Sequence, residues 1–229
     1  MSIYYKYAPD GSKIVFLSCV DDCVYWYTNK YNGKWFVDTL GKIFHVNFLL
    51  YAHWFMLIRI SQLKHNSISV DQARCDTFIV AKYLDTATVK VNKKVYKTTL
   101  PSEMISTKED VSTSDEQVEK LTREYSIHYR ACIGSLIYLL YTRVDLSFEV
   151  YKLANFSANP GKVHFEGLVH LLRYIRDKNI LGLQYYADLN DAPVTDLLRQ
   201  ANIKAKNHLM AFSDYSCQDC TDTGRSTGA

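Results

Sequence analysis

The stretch IVFLSCVDDCVYWY, residues 14–27, decides the expected fold of the first part of this chain. Two runs rich in β-branched and aromatic residues, 14–17 and 24–27, flank a short polar tip at Asp21 and Asp22. Such composition is typical of strands, and two strands this close in sequence form a hairpin. We therefore predict a β-hairpin that presents a pair of adjacent carboxylates.

The two aspartates at this tip are a candidate metal site. Mg²⁺ takes oxygen ligands, and rigid strands hold carboxylates in a fixed place. In two-metal phosphoryl transfer a third carboxylate normally comes from elsewhere in the fold, so Asp21 and Asp22 would supply two of three ligands. The alternative is a plain surface turn, because aspartate favours turns through local hydrogen bonds.

The stretch after the hairpin carries a strand-like block and then a helical pattern. Residues 44–60 are the most apolar, but polar and charged residues interrupt them, which predicts a buried strand-like element rather than a membrane span. Ser69 followed by Gln72 matches a capping box. Apolar residues then recur at helical spacing, which predicts a helix over 70–84.

The second half of the chain is predicted to be mainly helical. A polar stretch at 97–124, with Pro101 and many Ser, Thr and Glu residues, predicts a linker and a domain boundary. Helical periodicity then predicts three consecutive helices that pack together. These helices span 125–141, 145–156 and 163–177, and strands are predicted at 181–186 and 208–212.

Composition limits the class of protein and its compartment. The chain has 229 residues, of which 48% are hydrophobic, enough for a folded core. A formal net charge of +3 lacks the strong single-sign field of a dedicated nucleic-acid binder. The six cysteines are scattered and no secretory signal pattern opens the sequence, which favours a reducing compartment.

Two cysteine pairs allow a zinc interpretation. Cys217 and Cys220 have the spacing of a zinc knuckle or redox motif, and Cys19 with Cys23 offers a second pair. Neither pair has a nearby His or Cys that completes a compact set of four ligands. A zinc-stabilised domain is therefore the weaker alternative.

The basic residues at the end of the last predicted helix are candidates for nucleic-acid binding. Arg173, Arg176 and Lys178 lie on one helix, where they could meet a phosphate backbone. A solvated charged face is the alternative interpretation. His164, near the start of the same helix, is interpreted as a packing or capping residue.

Several blocks along the chain, in a fixed order, resemble one family. They are residues 17–22, Tyr129-Arg130 with 133–139, Thr142-Arg143 with Asp145 and Val150, His164 with 172–175, and Phe212-Ser213-Asp214 with Asp219, Asp222 and 225–228. Together they resemble copia-type retrotransposon reverse transcriptases, from the C-terminal part of the polymerase into the start of its RNase H domain. Residues 19–22 are similar to that family's Tyr-Val-Asp-Asp box.

The resemblance implies RNA-directed DNA polymerase activity with RNase H for the parent protein. Asp21 and Asp22 would bind Mg²⁺, with Mn²⁺ as an alternative ion, and Asp214 would be the first RNase H ligand. The implied partners are an RNA template, an RNA–DNA hybrid, deoxynucleotides and the missing N-terminal and C-terminal parts of the same polyprotein. The implied location is the cytoplasm, in a virus-like particle, or the nucleus, with no membrane partner.

The resemblance also implies an α+β fold in several parts. A partial polymerase palm sheet with the aspartate hairpin and a following helix would occupy 1–96, and the polar linker 97–124. A helical thumb and connection region would occupy 125–186. The first strands of a truncated RNase H-like sheet would occupy 187–229.

The sequence departs from the family at several matched positions. Cys19 replaces a tyrosine, Cys217 a tryptophan and Val144 a proline, while Glu149 replaces an alanine. The first metal-binding aspartate is expected upstream of this sequence, and most RNase H carboxylates beyond its end. We therefore expect a fragment that is inactive as an isolated chain. The alternative is a noncatalytic nucleic-acid-binding remnant.

Overall fold

The computed structural model describes residues 2–49, 51–64, 67–87, 95–100 and 108–186. The chain divides into two compact units, residues 1–62 and 63–229. This division differs from the boundary predicted at 97–124. Polar composition suggested that boundary, whereas the division follows the contacts that each segment makes.

A three-stranded antiparallel sheet forms the base of the first unit. Its strands are β1 Ser2–Tyr7, β2 Lys13–Cys19 and β3 Asp22–Tyr27, in the order β1-β2-β3. The predicted hairpin is confirmed as β2 and β3, and β1 adds a strand to it. Val20, in the turn of the hairpin, has a φ of 53°, a left-handed value that β-branched residues rarely adopt. Whether this sheet belongs to a polymerase palm stays a prediction.

Helix α1, Lys30–Ile43, packs on one face of this sheet. Asn29 starts the helix, because its side chain accepts a hydrogen bond from the Tyr31 backbone N–H at 2.9 Å. Phe36 anchors the helix, with its ring centroid 5.4 Å from that of Phe16. The helix is absent from the sequence prediction, because glycines and charged residues interrupt its apolar pattern.

The apolar block after α1 departs from the strand-like prediction. Among the described residues of this block, strands form only at β4 Trp54–Phe55 and β5 Ile58–Gln62, which pair as an antiparallel hairpin. Met56 and Leu57 form its turn, with φ of 50° and 59°. Residues 45–49 form neither helix nor strand, because the run lacks the strict alternation that fixes one face of a strand against a core.

The second unit begins with β6 Ile68–Asp71, which pairs antiparallel with β7 Gly182–Tyr185. Helix α2, Ala73–Tyr83, follows directly. This corrects the predicted helix start and its capping box, because Ser69 lies in the strand. Instead, Oδ1 of Asp71 accepts a hydrogen bond from the Ala73 backbone N–H at 3.1 Å. The strand predicted at 181–186 is confirmed as β7.

Further helices of the second unit follow in sequence order. They are α3 Asp115–Tyr125, α4 Tyr129–Leu139, α5 Ser147–Ala154 and α6 Lys162–Asp177, with short 3-10 turns at Lys108–Asp110 and Val144–Leu146. The three helices predicted from periodicity are confirmed as α4, α5 and α6. Helix α3 lies largely within the stretch 97–124 that the sequence predicts to be a polar linker, and a helix is not predicted there. It buries only Tyr125, which explains its polar composition.

These helices share one hydrophobic core. Its fully buried members include Ile127, Leu136, Leu146, Phe165, Leu168 and Leu172. Phe165 packs between Tyr125 and Tyr129, with ring centroids 5.1 and 5.2 Å away. Burying one such side chain contributes about 1.5–3 kcal/mol, so the core is the main source of stability in this unit.

The predicted RNase H-like start, 187–229, lies outside the described residues. The same is true of Asp214, Cys217, Cys220 and the strand predicted at 208–212. In the part of the chain that is described, none of the helices has both the length and the apolar character that crossing a bilayer requires.

Candidate functional site

Asp21 and Asp22 lie at the tip of the β2–β3 hairpin, as the sequence predicts, and both are exposed. Asp22 opens β3 opposite Cys19. Its Oδ2 accepts a hydrogen bond from the Met56 backbone N–H at 3.1 Å. One carboxylate of the pair therefore holds the β4–β5 turn against the end of the hairpin.

The described residues on their own do not fit a magnesium ion at this tip. Within the described ranges, no three His, Cys, Asp or Glu side chains come together closely enough to hold a metal ion. Two adjacent carboxylates leave most of the near-octahedral coordination of Mg²⁺ to other groups. The metal-binding role of Asp21 and Asp22 stays a prediction, and it requires a ligand from elsewhere.

The first cysteine pair is not arranged for zinc. Across β2 and β3, Cys19 lies opposite Asp22, whereas Cys23 lies opposite Ser18, with Sγ 3.8 Å from the serine Oγ. Neighbouring residues of a strand point to opposite faces of the sheet. The two thiols therefore lie on opposite faces, which corrects the interpretation of Cys19 and Cys23 as a pair of ligands.

The polar centre of the second unit is Arg143, whose side chain is fully buried. Its guanidinium donates a hydrogen bond to Oδ2 of Asp76 on α2 at 2.7 Å. It also contacts both carboxylate oxygens of Asp145, at 2.9 and 3.0 Å, while Tyr174 of α6 donates to Oδ2 of Asp145 at 3.1 Å. We call these four residues the Arg143 cluster; it joins α2, α6 and the turn before α5.

Local structure explains how Arg143 reaches this place. Its backbone N–H donates to the Leu139 carbonyl at 2.9 Å and closes the last turn of α4. The 3-10 turn Val144–Leu146 then brings Asp145 back toward the guanidinium two positions before it. A bidentate pair of this kind is geometrically specific as well as strong.

Gln72 extends the polar contacts to the end of α4. The side chain is fully buried at the start of α2. Its Oε1 accepts a hydrogen bond from Thr142 Oγ1 at 3.0 Å, and its Nε2 donates to the Tyr138 carbonyl at 3.3 Å. Buried polar groups need such partners, so Gln72 connects α2 to α4 rather than completing a capping box.

The Arg143 cluster holds two carboxylates for one guanidinium. Burial raises the pKa of Asp76 to about 6, although Arg143 opposes this shift. For Asp145, burial is the largest single cause and acts to raise the pKa, but the hydrogen bonds and charge of Arg143, together with the hydrogen bond from Tyr174, lower the pKa on balance. Oδ1 of Asp76 is buried and has no hydrogen-bond partner among the described residues. Asp76 is therefore the carboxylate that takes up a proton first as the pH falls.

We expect Asp76→Asn to flatten the dependence of stability on pH between about pH 4 and 7. The folded-state pKa of about 6 lies above the ordinary value of 3.8, so protonation favours the folded state. This contribution is fully present below the ordinary pKa and is lost as the pH rises through 6. Asparagine mimics the protonated acid, so the variant should keep about 1–3 kcal/mol that the wild type loses.

Urea unfolding of both proteins at several pH values, followed by circular dichroism, tests this expectation. Burial lowers the pKa of His164 and gives that residue a slope of opposite sign, with stability lost as the pH falls below its ordinary value. Because both proteins contain His164, its contribution cancels when the free energy of unfolding of the variant is compared with that of the wild type. Parallel pH profiles for the two proteins would contradict the role given to Asp76.

His164 lies in the first turn of α6 and is fully buried. Its Nδ1 accepts a hydrogen bond from the Gly161 backbone N–H at 2.9 Å, and its ring stacks on Phe156 with centroids 4.0 Å apart. A nitrogen that accepts is unprotonated, so the neutral imidazole carries its proton on Nε2. These contacts agree with the predicted packing and capping role.

The turn before α6 holds the segment 108–112 in place. Ser112 donates from Oγ to the Pro160 carbonyl at 2.8 Å and from its backbone N–H to the Asn159 carbonyl at 3.2 Å. The Asp110 carbonyl oxygen occupies the space that a Cβ on Gly161 would need. This close approach of two backbone segments requires glycine.

Neighbours within the second unit contact two of the three predicted phosphate-binding cations. Arg173 donates to the Tyr96 hydroxyl at 2.9 Å and lies over its ring. Arg176 pairs with Asp177 at 2.8 Å, and Lys178 is exposed just past the helix. Their role in nucleic-acid binding stays a prediction that competes with these structural contacts.

Sequence reasoning missed Asp76 altogether, and it assigned Gln72 to a capping box and Tyr174 to a resembling block without placing either of them beside Arg143. Asp76 is 67 positions away from the arginine that it contacts. An acid on a predicted helix carries no local sign of burial, because helical aspartates normally face water. The available signal was the apolar surroundings of Thr142-Arg143, which indicate that this arginine needs a buried partner.

Comparison with known proteins finds similarity to retrovirus-related Pol polyproteins of plant transposons. The chain is 36% identical over 78 residues to the polyprotein from transposon RE2 of Arabidopsis thaliana, which takes in 30% of the chain and 5% of the polyprotein. It is 30% identical over 99 residues to the polyprotein from transposon TNT 1-94 of Nicotiana tabacum, which takes in 42% of the chain and 7% of the polyprotein. The chain thus spans only a small part of these relatives.

Another similar protein is described as a secreted effector and not as a transposon polyprotein. The chain is 31% identical over 61 residues to the secreted RxLR effector protein 161 of Plasmopara viticola, across 26% of the chain and 43% of that protein. No protein-family model matches the chain, and no solved structure matches it. The sequence resemblance to a transposon polyprotein agrees with these comparisons. The assignment of this chain to the reverse transcriptase and RNase H parts of such a polyprotein stays a prediction.

Proposed function

We propose that this chain is part of a copia-type retrotransposon polyprotein whose parent activity is RNA-directed DNA polymerase with RNase H. Partial similarity to the Pol polyproteins of transposons in two plants supports this proposal. The order of the motif blocks along the same sequence also supports it. Outside the polyprotein, the chain is proposed to be inactive as a polymerase.

The observation that carries the proposal is the position of the residues in the resembling blocks. Arg143 and Asp145 form the bidentate pair of the Arg143 cluster. Thr142 bonds to Gln72 beside it, and His164 holds the turn before α6. Residues that carry the resemblance therefore maintain a buried structure, as expected for a helical region that supports a catalytic site elsewhere.

The aspartate hairpin would act as one part of a composite site. With Oδ2 of Asp22 held by Met56, its Oδ1 and the exposed carboxylate of Asp21 are left for an ion. A bound Mg²⁺ would supply charge stabilisation for phosphoryl transfer. A third carboxylate from another part of the polyprotein would complete the ligand set.

A chimeric polyprotein tests the proposal directly. The segment of the RE2 Pol polyprotein that corresponds to residues 14–177 of this chain is replaced by those residues. We expect Mg²⁺-dependent DNA synthesis on a primed RNA template, and its loss in the double variant Asp21→Asn with Asp22→Asn. The double variant removes two ligands of the catalytic metal, so the rate of DNA synthesis should fall by several orders of magnitude.

Two controls make the result decisive. Asp38→Asn removes another exposed carboxylate of the first unit and should leave synthesis unchanged. Cys19→Tyr restores the aromatic residue of the resembling box and should raise the rate. A folded chimera that stays inactive even with Cys19→Tyr would contradict the proposed function.

The incomplete metal site favours a second candidate, a noncatalytic module that binds nucleic acid. If this candidate is right, the isolated chain should bind an RNA–DNA hybrid with an affinity that depends on salt concentration. Substituting Asp21 and Asp22 should leave that affinity unchanged. Arg173→Gln with Arg176→Gln would weaken that affinity. The contacts of these arginines with Tyr96 and Asp177 favour the polyprotein interpretation over this one.

A further inference from the structure

Residues 95–100 form a segment that lies against α6 without being a helix or a strand. We call this segment the strap. Its one buried side chain is that of Tyr96, which is 8% exposed, whereas the neighbouring Val95 is 62% exposed. A segment with few buried apolar contacts opens at a lower free energy than the core does. The strap can therefore leave α6 while the rest of the second unit stays folded.

The strap is bonded to side chains along the C-terminal half of α6. Nη1 of Arg173 donates to the Tyr96 hydroxyl at 2.9 Å, and the Tyr96 backbone N–H donates to Oδ2 of Asp177 at 2.8 Å. The Thr98 carbonyl accepts a hydrogen bond from Nε2 of His170 at 2.9 Å. The Tyr96 ring meets the His170 ring edge-on, with centroids 4.6 Å apart, and its centroid lies 5.5 Å from the Arg173 guanidinium. The strap therefore covers Arg173 and His170.

These contacts are of the kind that a nucleotide makes with a protein. The strap offers α6 two oxygen acceptors, a hydroxyl and a carbonyl, and one aromatic face. A nucleic acid offers phosphate oxygens and the faces of its bases. Arginine binds phosphate in a bidentate geometry, and the negative charge adds an attraction that the neutral Tyr96 hydroxyl lacks. A phosphate group can therefore compete for Arg173, although the strap has the advantage of belonging to the same chain.

The neighbouring cations extend this surface past the strap. Arg176 and Lys178 follow Arg173 toward and beyond the end of α6, and Lys178 is exposed. Asp177 is the one acidic residue within 170–178. It pairs with Arg176 at 2.8 Å independently of the strap. Opening of the strap would therefore leave this carboxylate with its cation.

We propose that the strap is an autoinhibitory segment, which covers part of a phosphate-binding surface on α6 and is displaced when a nucleic acid binds there. The proposal takes nucleic acid as the ligand from the proposed function. In the free chain Arg173 is bonded to Tyr96, and in the complex a phosphate oxygen takes the place of the Tyr96 hydroxyl. The affinity of the chain for nucleic acid then depends on the fraction of molecules in which the strap is open.

Binding of a fluorescently labelled RNA–DNA hybrid to the full chain, followed by anisotropy, tests the proposal. Tyr96→Ala removes the ring and the hydroxyl that hold the strap. It should bind the hybrid about tenfold more tightly than wild type if the strap is open in about a tenth of wild-type molecules. The substitution leaves the net charge unchanged, so the gain cannot come from added positive charge. Adding Arg173→Gln to Tyr96→Ala should abolish the gain.

A second measurement uses the wild type alone. The backbone amide of Tyr96 is bonded to Asp177 in the closed strap. Because binding and strap opening are linked, saturating RNA–DNA hybrid should speed hydrogen exchange at this amide. Tyr96→Phe keeps the ring and lacks the hydroxyl, so it should bind more tightly than wild type but less tightly than Tyr96→Ala. Both measurements keep the proposal testable if Tyr96→Ala does not fold.

Val95→Ala is the matched control, because it trims an exposed, uncharged side chain of the same segment and should bind like wild type. Far-UV circular dichroism should show that Tyr96→Ala keeps its helices. An unchanged or weaker affinity in folded Tyr96→Ala, an equal gain in Val95→Ala, a gain that survives Arg173→Gln, or Tyr96 exchange that the hybrid does not alter would each overturn the proposal. Polymerase activity of the chimera is measured separately, so such a failure leaves the proposed function standing.

Discussion

Replacing Arg143 with methionine should lower the free energy of unfolding of the second unit by about 3–5 kcal/mol, because it leaves the buried carboxylate of Asp76 without its cation. Arg143 is the only cation bonded to Asp76 and Asp145 in the described cluster. Methionine fills a volume similar to that of arginine. The decrease in the free energy of unfolding therefore reflects the lost charge more than a new cavity. A loss of this size is a large fraction of the stability of a typical domain.

Urea unfolding followed by far-UV circular dichroism measures this effect. All three tryptophans, Trp26, Trp35 and Trp54, lie in the first unit, so fluorescence follows that unit separately. Arg123→Met is the matched control: its side chain is 79% exposed in a pair with Glu119 on α3, and its removal should cost about 0.5 kcal/mol or less. Equal losses in both variants would refute the central role of Arg143.

The pH gives a second check on the same variant. Without the guanidinium, Asp76 and Asp145 both favour their neutral forms, because burial and mutual repulsion act in the same direction. The loss in Arg143→Met should therefore shrink as the pH falls and both carboxylates become protonated. A loss that is constant between neutral and acidic pH would indicate a packing defect instead.

Substituting Gly161 with alanine should cost about 2–3 kcal/mol, a value typical of overpacking in a closely packed site. The new Cβ would occupy the place of the Asp110 carbonyl oxygen, and both clashing groups are backbone or attached directly to it. Either the segment 108–112 moves away or the turn shifts. The first change breaks the hydrogen bonds of Ser112, and the second breaks the bond from Gly161 to His164.

Amide hydrogen exchange at Ser112 reports the first of these changes, because its N–H donates to the Asn159 carbonyl. Gly134→Ala is the matched control: no atom lies within 4 Å of its added Cβ on the exposed side of α4. Higher helix propensity should make that control more stable by about 1 kcal/mol. The explanation fails if both substitutions stabilise the chain or if Gly161→Ala changes the exchange of neither the Ser112 amide nor the amide of residue 161, which donates to Nδ1 of His164.

Periodicity in the sequence was sufficient to predict several elements. The β2–β3 hairpin and helices α4, α5 and α6 follow from local patterns of apolar residues, and the structure confirms them. The same reasoning failed for α3, whose polar composition resembled a linker. It also failed at the start of α2, where Ser69 and Gln72 matched a capping box but a strand occupies 68–71.

For the candidate site too, the sequence identified some residues, whereas other contacts are shown only by the structure. The sequence identified Asp21 and Asp22 as exposed carboxylates at a hairpin tip, and Arg143, Asp145 and His164 as members of resembling blocks. It did not predict that Asp76 would meet Arg143, or that Cys19 and Cys23 would lie on opposite faces of a sheet. Each of these facts depends on which segments become neighbours.

By itself, the sequence determined the position and type of the periodic elements and the resemblance to a transposon polyprotein. A helix or a hairpin forms through interactions between residues close in the chain, so its pattern can be read locally. The tertiary structure alone decided which polar side chains are buried together and which strands pair. Burial and strand pairing join residues distant in sequence, and no local pattern records which distant partner will be chosen.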